Sequence, residues 1–576
     1  MEIIMKNYVR YEDFGAIGDG VNNDFFAMQA AHKYANENGL DVKGEPTATY
    51  LINNKEKDGV ASSIEIKTNT DWCGATIIID DTENTWLPGP GCRNHNTHPI
   101  LIKSDYEPVS LPKEVVESIE ARGGIHGGNI DRIGTGLGYP ALLSIKNSEQ
   151  RVYIRYGVNE DNGSDQFEVL LVDKDGYIDP STPFMFDYNK ATSIIAYRVD
   201  DKPITVENAL IISRASKVNI NPVYHHLDSG IEASRSNLTI KNLVHNIVGE
   251  IDKYAVVDKD SNVLPGYRYD WKTHVVYAPE NREVTDGHAN GFIGHSFSGF
   301  IIIVDCNNVL VENVTFQSRV YYLQGTYDLS CGRANNITFK NCDQANFFSN
   351  DRPDMPRYPS MGKCWGVGGS NFCKNMTYDG CQLTRYDAHS GLYNGKIINS
   401  EIAALRLTGA GNMLIENTKL YSYATCFISL REDYGSTWRG TITLKDCEVL
   451  DVCNDGRFAS VITCASPNHY FGYPVYFPNI VIDNLKVENV SKRINLVCDN
   501  QYDPNNKFYY RSVYEPAIAK VGVKCRNGQP SVCVHNSPEF IKVINNEDNG
   551  YELVMHESEF FKNTKIEGIK VLPYES

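Results

Sequence analysis

The sequence predicts an all-β chain, a right-handed parallel β-helix in which short strands stack into one solenoid, with an N-terminal capping helix and an inserted β-subdomain. Three observations predict it. A short block recurs along the chain centre, the block has the two-residue period of a strand, and a sustained 3.6-residue apolar period is confined to Phe25 to Asn38.

The recurring block reads LTIKNL, VLVENV, ITFKNC, MTYDGC, KIINSE, MLIENT, ITLKDC and IVIDNL. Its asparagine-like position falls at Asn242, Asn313, Asn341, Gly380, Asn399, Asn417, Asp446 and Asn484. The closest recurrences are 28, 19, 18 and 29 residues apart (313 to 341, 380 to 399, 399 to 417, 417 to 446), which is solenoid spacing. Two residues before it the side chain is apolar or aromatic: Ile240, Val311, Phe339, Tyr378, Ile397, Ile415, Leu444 and Ile482. That alternation buries one face of a strand. The asparagine then ends the strand, because its side chain tolerates left-handed backbone angles and bonds neighbouring backbone groups. Stacked coils would line these residues into a ladder. Parallel strands joined by crossovers are right-handed, which sets the hand; an antiparallel β-sandwich would not require one block to recur in one orientation.

Length alone would allow three or four ordinary domains in 576 residues, but a solenoid lengthens one core instead of starting another. A net charge of −17 argues against nucleic acid, whose phosphates need a basic face. No apolar run approaches a membrane span, and Met1 to Arg10 lacks the apolar core of a signal peptide. The 15 cysteines, an odd number with several inside strand patterns (Cys342, Cys381, Cys447), read as buried reduced thiols. CxxC pairs are absent, so zinc spacing is not met.

The segment Tyr11-Glu-Asp-Phe-Gly-Ala-Ile-Gly-Asp-Gly-Val-Asn-Asn-Asp24, followed by the helical Phe25-Phe-Ala-Met-Gln-Ala-Ala31, resembles the opening of the pectate-lyase-like β-helix superfamily. That superfamily includes polygalacturonase-like hydrolases and phage tailspike depolymerases. The resemblance implies that the glycine-rich turn leads into a helix capping the first coil; it says little about chemistry. The central region is similar to uncharacterised β-helix proteins of bacteria and their phages. The Asn-Thr-Asp, Asp-Asp and Gly-His-Gly of the polygalacturonase-like hydrolases are absent from the central coils, and His288 in Asp286-Gly-His-Ala-Asn290 is a poor match. The domain plan is 1–124 for the cap and first coils, 125–205 for an inserted β-rich elaboration around Lys174-Asp-Gly176, 206–490 for the central β-helix with a groove, and 491–576 for C-terminal coils and cap. Coils read as continuous from Ser236 to Val490. With no export signal in the given chain, the expected location is cytoplasmic or phage-associated.

Candidate site residues come from counting along the ladder. Asp387 stands seven after Gly380 and Arg406 seven after Asn399; His389 stands nine after Gly380, and Asn350, beside Asp351, nine after Asn341. Adjacent coils are about 4.8 Å apart, so Asp387, His389 and Arg406 would share a patch, with Arg385 beside them. The strand Cys426 to Leu430 ends in Arg431, Glu432 and Asp433, with Tyr434 and Trp438 close by. Aromatic faces stack on sugar rings, and carboxylates supply acid, base or nucleophile. A third segment, proline-rich from Asn350 to Pro359 and leading to Trp365, offers Asp351 and Asp354. The plain alternative for each segment is a solvated charged turn.

Together these residues point to a carbohydrate-active enzyme. The leading expectation is a glycoside hydrolase acting on an oligo- or polysaccharide, with Asp387 and either Asp433 or Glu432 as the acid/base pair and Asp351 in reserve. Arg406 and Arg431 would hold substrate, His389 would tune Asp387, and Arg385, Tyr434, Trp438, Trp365 and Asp354 would line the groove. An offset of about 10 Å between Asp387 and Asp433, two coils apart, leans towards inversion. The alternatives are a polysaccharide lyase, with the uronic carboxylate neutralised by Arg, Lys or Ca²⁺, and a glycan-binding spike of the tailspike kind, which would be a trimer. No other cofactor or metal is expected.

Overall fold

The computed structural model describes residues 7–53, 62–82, 98–155, 162–214, 218–220, 230–249, 255–257, 263–270, 275–281, 292–295, 300–317, 328–345, 369–422, 426–431, 434–451, 460–463, 471–488, 493–497, 535–546, 550–557 and 559–573. Its main body is a right-handed parallel β-helix built from a 33-stranded sheet in which short strands pair with the coil before and the coil after. Thus Asn307–Glu312 pairs in parallel with Asn335–Lys340, and that strand with Lys374–Asp379. The inward positions stack as the block predicts: Val311 sits opposite Phe339, Phe339 opposite Tyr378 and Tyr378 opposite Ile397, all in one continuous buried core. Fully burying one such side chain contributes about 1.5–3 kcal/mol, and each coil repeats the gain.

The ladder is present at all eight predicted positions. Each has a positive φ, from 46° at Asn417 to 64° at Gly380. The cost of left-handed angles is offset by side-chain hydrogen bonds between coils, Asn313 Nδ2 donating to Asn242 Oδ1 at 3.2 Å and Asn417 Nδ2 to Asn399 Oδ1 at 2.8 Å. A second ladder, not read from the sequence, runs through Asn307, Asn335, Asn375 and Asn394, with Nδ2 to Oδ1 distances of 2.8, 2.9 and 3.0 Å. Seven of the eight described cysteines are buried thiols outside any disulfide, and Cys342, Cys381 and Cys447 donate to core carbonyls of the preceding coil.

The first coil is closed by helix α1, Phe25–Asn38, which buries Phe25, Met28, Ala31, His32 and Ala35 along one face. Gly18, at φ 68°, allows the chain to turn into it: a Cβ there would meet Ala48 Cβ at 2.8 Å. Asp24 pins that turn by accepting from Ile17 N at 2.7 Å.

Two excursions leave the solenoid. The first is a four-stranded antiparallel sheet, Val109–Ser110, Ala141–Val152, Ser164–Val172 and Ser193–Arg198, joined by helix α2, Lys113–Ala121. It has its own core, in which Val116 and Ile119 of α2 pack with Leu143, Ile145, Leu170 and Ile194. This insert begins at Val109, upstream of the 125 read from the sequence, because a two-residue exposed strand and a nine-residue helix give little periodic signal. Ile204–Arg214 already belongs to the coils. The second excursion is a five-stranded antiparallel sheet formed from strands between Val218 and His295. It interrupts the coils where the sequence reading ran them without a break from Ser236. Beyond 491 the stack continues through Phe540–Ile544, Glu552–His556, Lys565–Glu567 and Lys570–Leu572, and Asn545 adds a further ladder step by donating to Asp483 at 2.8 Å. Among the described residues no helix is long and apolar enough to cross a membrane.

Candidate site at the seam between insert and solenoid

The insert lies along one corner of the solenoid, between the column of strands that includes Gln382–Ser390 and the column that includes Leu392–Ile398. Lys374 of the solenoid and Glu168 of the insert, both buried, meet at 2.7 Å. Burial pushes the Lys374 ammonium below its ordinary value, against the pull of Glu168. Arg439 Nη2 donates to Met185 O at 2.7 Å, Asn375 Nδ2 to Ser181 O at 3.0 Å and Ile154 N to Phe471 O at 3.3 Å.

Under this seam sits a charged cluster. In the strand Gln382–Ser390, Tyr386 and Ala388 enter the core, so Arg385 and Asp387 point outward, yet both are buried. Arg431 Nη1 donates to Asp387 Oδ1 and Oδ2 at 3.2 and 3.3 Å and approaches His389 Nδ1 at 2.8 Å; Arg385 Nη2 donates to Asp387 Oδ2. Burial alone would raise the Asp387 carboxyl; Arg385, His389 and Arg431 outweigh it and hold the group well below the usual carboxylate range. Tyr434 roofs the cluster, with its ring edge-on to His389 at 5.6 Å and the guanidinia of Arg431 and Arg155 over it at 5.0 and 5.3 Å.

The expected residues are therefore partly assembled. Arg385, Asp387, His389, Arg431 and Tyr434 come together, although 387 and 431 are 44 residues apart. Arg406 stands opposite Asp387 in register, but it is exposed, whereas Arg385, His389 and Arg431 pair with Asp387. Asp387 is enclosed, and the guanidinia of Arg385 and Arg431 favour its ionised form. One role is corrected. Trp438, expected as a stacking face for sugar, is fully enclosed in the solenoid core with Nε1 donating to Gly411 O at 3.0 Å, so its face is taken by protein. Glu432, Asp433, Asp351, Asp354 and Trp365 lie outside the described residues, as does His288.

Sequence reasoning missed what lies over the cluster. Tyr153 of the insert packs on Tyr434 at 5.5 Å, Tyr473 at 4.7 Å and Phe186 at 6.0 Å, at the edge of a cleft of about 590 Å³. The solenoid contributes Gly409, Thr437, Arg439, Tyr473 and Tyr476 to the cleft; the insert contributes Gln150, Gln166, Phe186, Asp187 and Asn189. Gly472, at φ 84°, lets the Phe471–Tyr473 segment lie against the insert, since a Cβ there would fall 1.9 Å from Arg151 O. Several polar groups are fixed by backbone contacts: Gln166 Nε2 donates to Asp187 O at 2.8 Å, Gln150 Nε2 to Gly472 O at 3.2 Å and Gly127 N to Asp187 Oδ1 at 2.9 Å. The result is a preformed cavity of ordinary ligand size, walled by aromatic rings and edged by amides, one guanidinium and one carboxylate.

No family model and no curated protein matches the chain. Among solved structures it is similar to the tailspike gp61 of Pseudomonas phage phi297, at 10% identity over 98% of this chain and 75% of that one, with a TM-score of 0.47. It is also similar to the gp54 tailspike of Acinetobacter baumannii bacteriophage AP22 in complex with A. baumannii capsular saccharide, at 10% identity over 97% and 79%, TM-score 0.44. A third is a hyperthermoactive exopolygalacturonase from Thermotoga maritima, at 11% identity over 98% and 88%, TM-score 0.29.

Proposed function

We propose that the protein is carbohydrate-active and holds an oligo- or polysaccharide in the cleft between insert and solenoid. The observation that carries this reading is the lining: tyrosine and phenylalanine rings for the C–H face of a sugar, with amides, Arg439 and Asp187 for its hydroxyls. The reaction assigned to it is glycosidic hydrolysis. On this reading Asp387 is a positioning residue for Arg431 and His389. Glu432 and Asp433, which follow Arg431 in the chain, are the carboxyls proposed to give and take the proton.

A second reading, saccharide binding without cleavage, is favoured by one observation: Asp187 is the one carboxylate among the described residues lining the cleft, whereas hydrolysis commonly uses two.

A glycan-array screen followed by product analysis tests both. Hydrolysis predicts new reducing ends without the absorbance of an unsaturated sugar, and their loss in Asp433→Ala or Glu432→Ala. Unsaturated product would mean a lyase, and binding with no product would leave the second reading. Absence of binding to any glycan on the array, by a protein with an intact melting transition, would contradict the carbohydrate assignment.

A further inference from the structure

A second cavity, of about 300 Å³, opens at the other end of the same seam. Its floor is solenoid. Ile102 pairs with Ala233, and Ala233 with Ile303, and these three lie in the core, so the alternating Lys103, Ser234 and Val304 face outward into the cavity. Glu232 and Asp305 flank them, and Tyr106, Tyr197 and Arg198 of the insert region form the wall.

The junction is firmly built. Asp200, fully buried, accepts from Ser104 Oγ at 2.8 Å, Asp105 N at 3.1 Å and Ser236 N at 2.9 Å, and faces the buried Arg235 at 3.3 Å. Arg333 clamps both oxygens of Asp305 at 2.7 Å, and the Arg198 guanidinium lies 3.8 Å above the Tyr106 ring. Such a site keeps its shape without a ligand, which lowers the cost of binding one.

Both cavities occupy the same corner of the solenoid. Asp305 closes the turn between Ile301–Val304 and Asn307–Glu312, and Gly409 opens the strand after Glu401–Leu407, in the same two columns. From Asn307 the column climbs through Asn335, Lys374 and Tyr393 to Ala410, four coil steps, or about 19 Å. A chain of several sugars lying along the axis would reach both.

Building on the proposed saccharide cleft, we propose that this second cavity binds another unit of the same chain, so that the insert grips a neutral polysaccharide at two points along the solenoid. The chemistry selects the class. Tyr197 offers a ring for a sugar, Ser234 and Glu232 accept from its hydroxyls, and four other charges of the lining are paired within the protein: Asp305 with Arg333, Asp200 with Arg235, Lys103 with Glu65 and Arg198 with Asp201. With its cations already matched by carboxylates, the lining offers a uronate no uncompensated positive charge and suits a hydroxyl-rich neutral ring.

The test uses the full chain with neutral-hexose and uronic-acid oligosaccharides, each graded from disaccharide to dodecasaccharide, and reads Kd by calorimetry. The expected result is binding of a neutral series whose Kd falls about tenfold between tetrasaccharide and dodecasaccharide as the second point engages. Ser234→Trp, which fills the cavity, and Tyr197→Ala, which removes a wall, each abolish that gain and leave tetrasaccharide affinity in place. Arg439→Ala, in the first cleft, weakens every length. If both second-cavity variants keep the full chain-length gain, or the wild type shows none, the second site is wrong while the cleft stands. If Arg439→Ala changes no length at all, it is the cleft reading that fails.

Discussion

The plain coil wall and the seam are made by different rules. On the wall, Asn399 and Asn417 do the same thing one coil apart: each ends a strand with left-handed angles and hands a hydrogen bond to its neighbour. At the seam, Arg385 and Asp387 occupy outward positions of an ordinary strand, yet they are buried where Arg431, Tyr434 and the insert pack. The wall takes its stability from repetition, which tolerates single losses. The seam depends on contacts between residues up to hundreds of positions apart, each of which occurs once.

That contrast can be broken first at Asp387. Asp387→Ala removes the carboxylate that two buried guanidinia share, and breaking a buried ion pair typically costs about 3–5 kcal/mol. Urea denaturation should show the loss, together with reduced saccharide binding as Tyr434 and Tyr153 shift. An unchanged midpoint would mean that the cluster is solvated and carries no weight. On the wall the effect is smaller. Asn399→Ala forces a left-handed alanine and removes a ladder bond, for about 1–3 kcal/mol, and Asn399→Gly should recover the backbone part of it. Equal losses for alanine and glycine would show that the hydrogen bond alone matters.

The smallest effect, and the most diagnostic of order, is the response to acid. His32, buried in the cap and bonded to the Tyr11 hydroxyl at 2.9 Å, is pushed down to about 3 by burial. Its neutral form is favoured by folding, so its contribution is complete above its ordinary value of about 6.5 and is lost as pH falls from there towards about 3. Asp387, also depressed, contributes fully above the ordinary carboxyl value of about 4 and loses its contribution below it. The cap should therefore loosen before the seam. Hydrogen exchange followed through an acid titration would show α1 opening first; the strand Gln382–Ser390 opening first would reverse the ranking.

How much the sequence disclosed follows the same division. The ladder was legible because one side-chain type met one environment repeatedly, so Asn242 to Asn484 could be aligned by inspection. Asp387 and His389 were legible by counting along coils and Arg431 as a charge at a strand end, but burial was not, since no local pattern announces that a distant segment will cover an outward face. Trp438 was misplaced for the same reason: an aromatic after a charged stretch reads as exposed until Gly411 and the core enclose it. Gln166, Asp187 and Tyr473 were invisible, because they face one another only after the insert has docked on coils formed much later in the chain.

The central claim is that saccharide enters the cleft at the seam. The most direct measurement is the crystal structure of the protein with the glycan that binds it most tightly. The account predicts a sugar ring against Tyr473 or Tyr476 with hydroxyls shared between Gln166, Asp187 and Arg439. A glycan seated on another face of the solenoid, with that cavity holding only solvent, would contradict it.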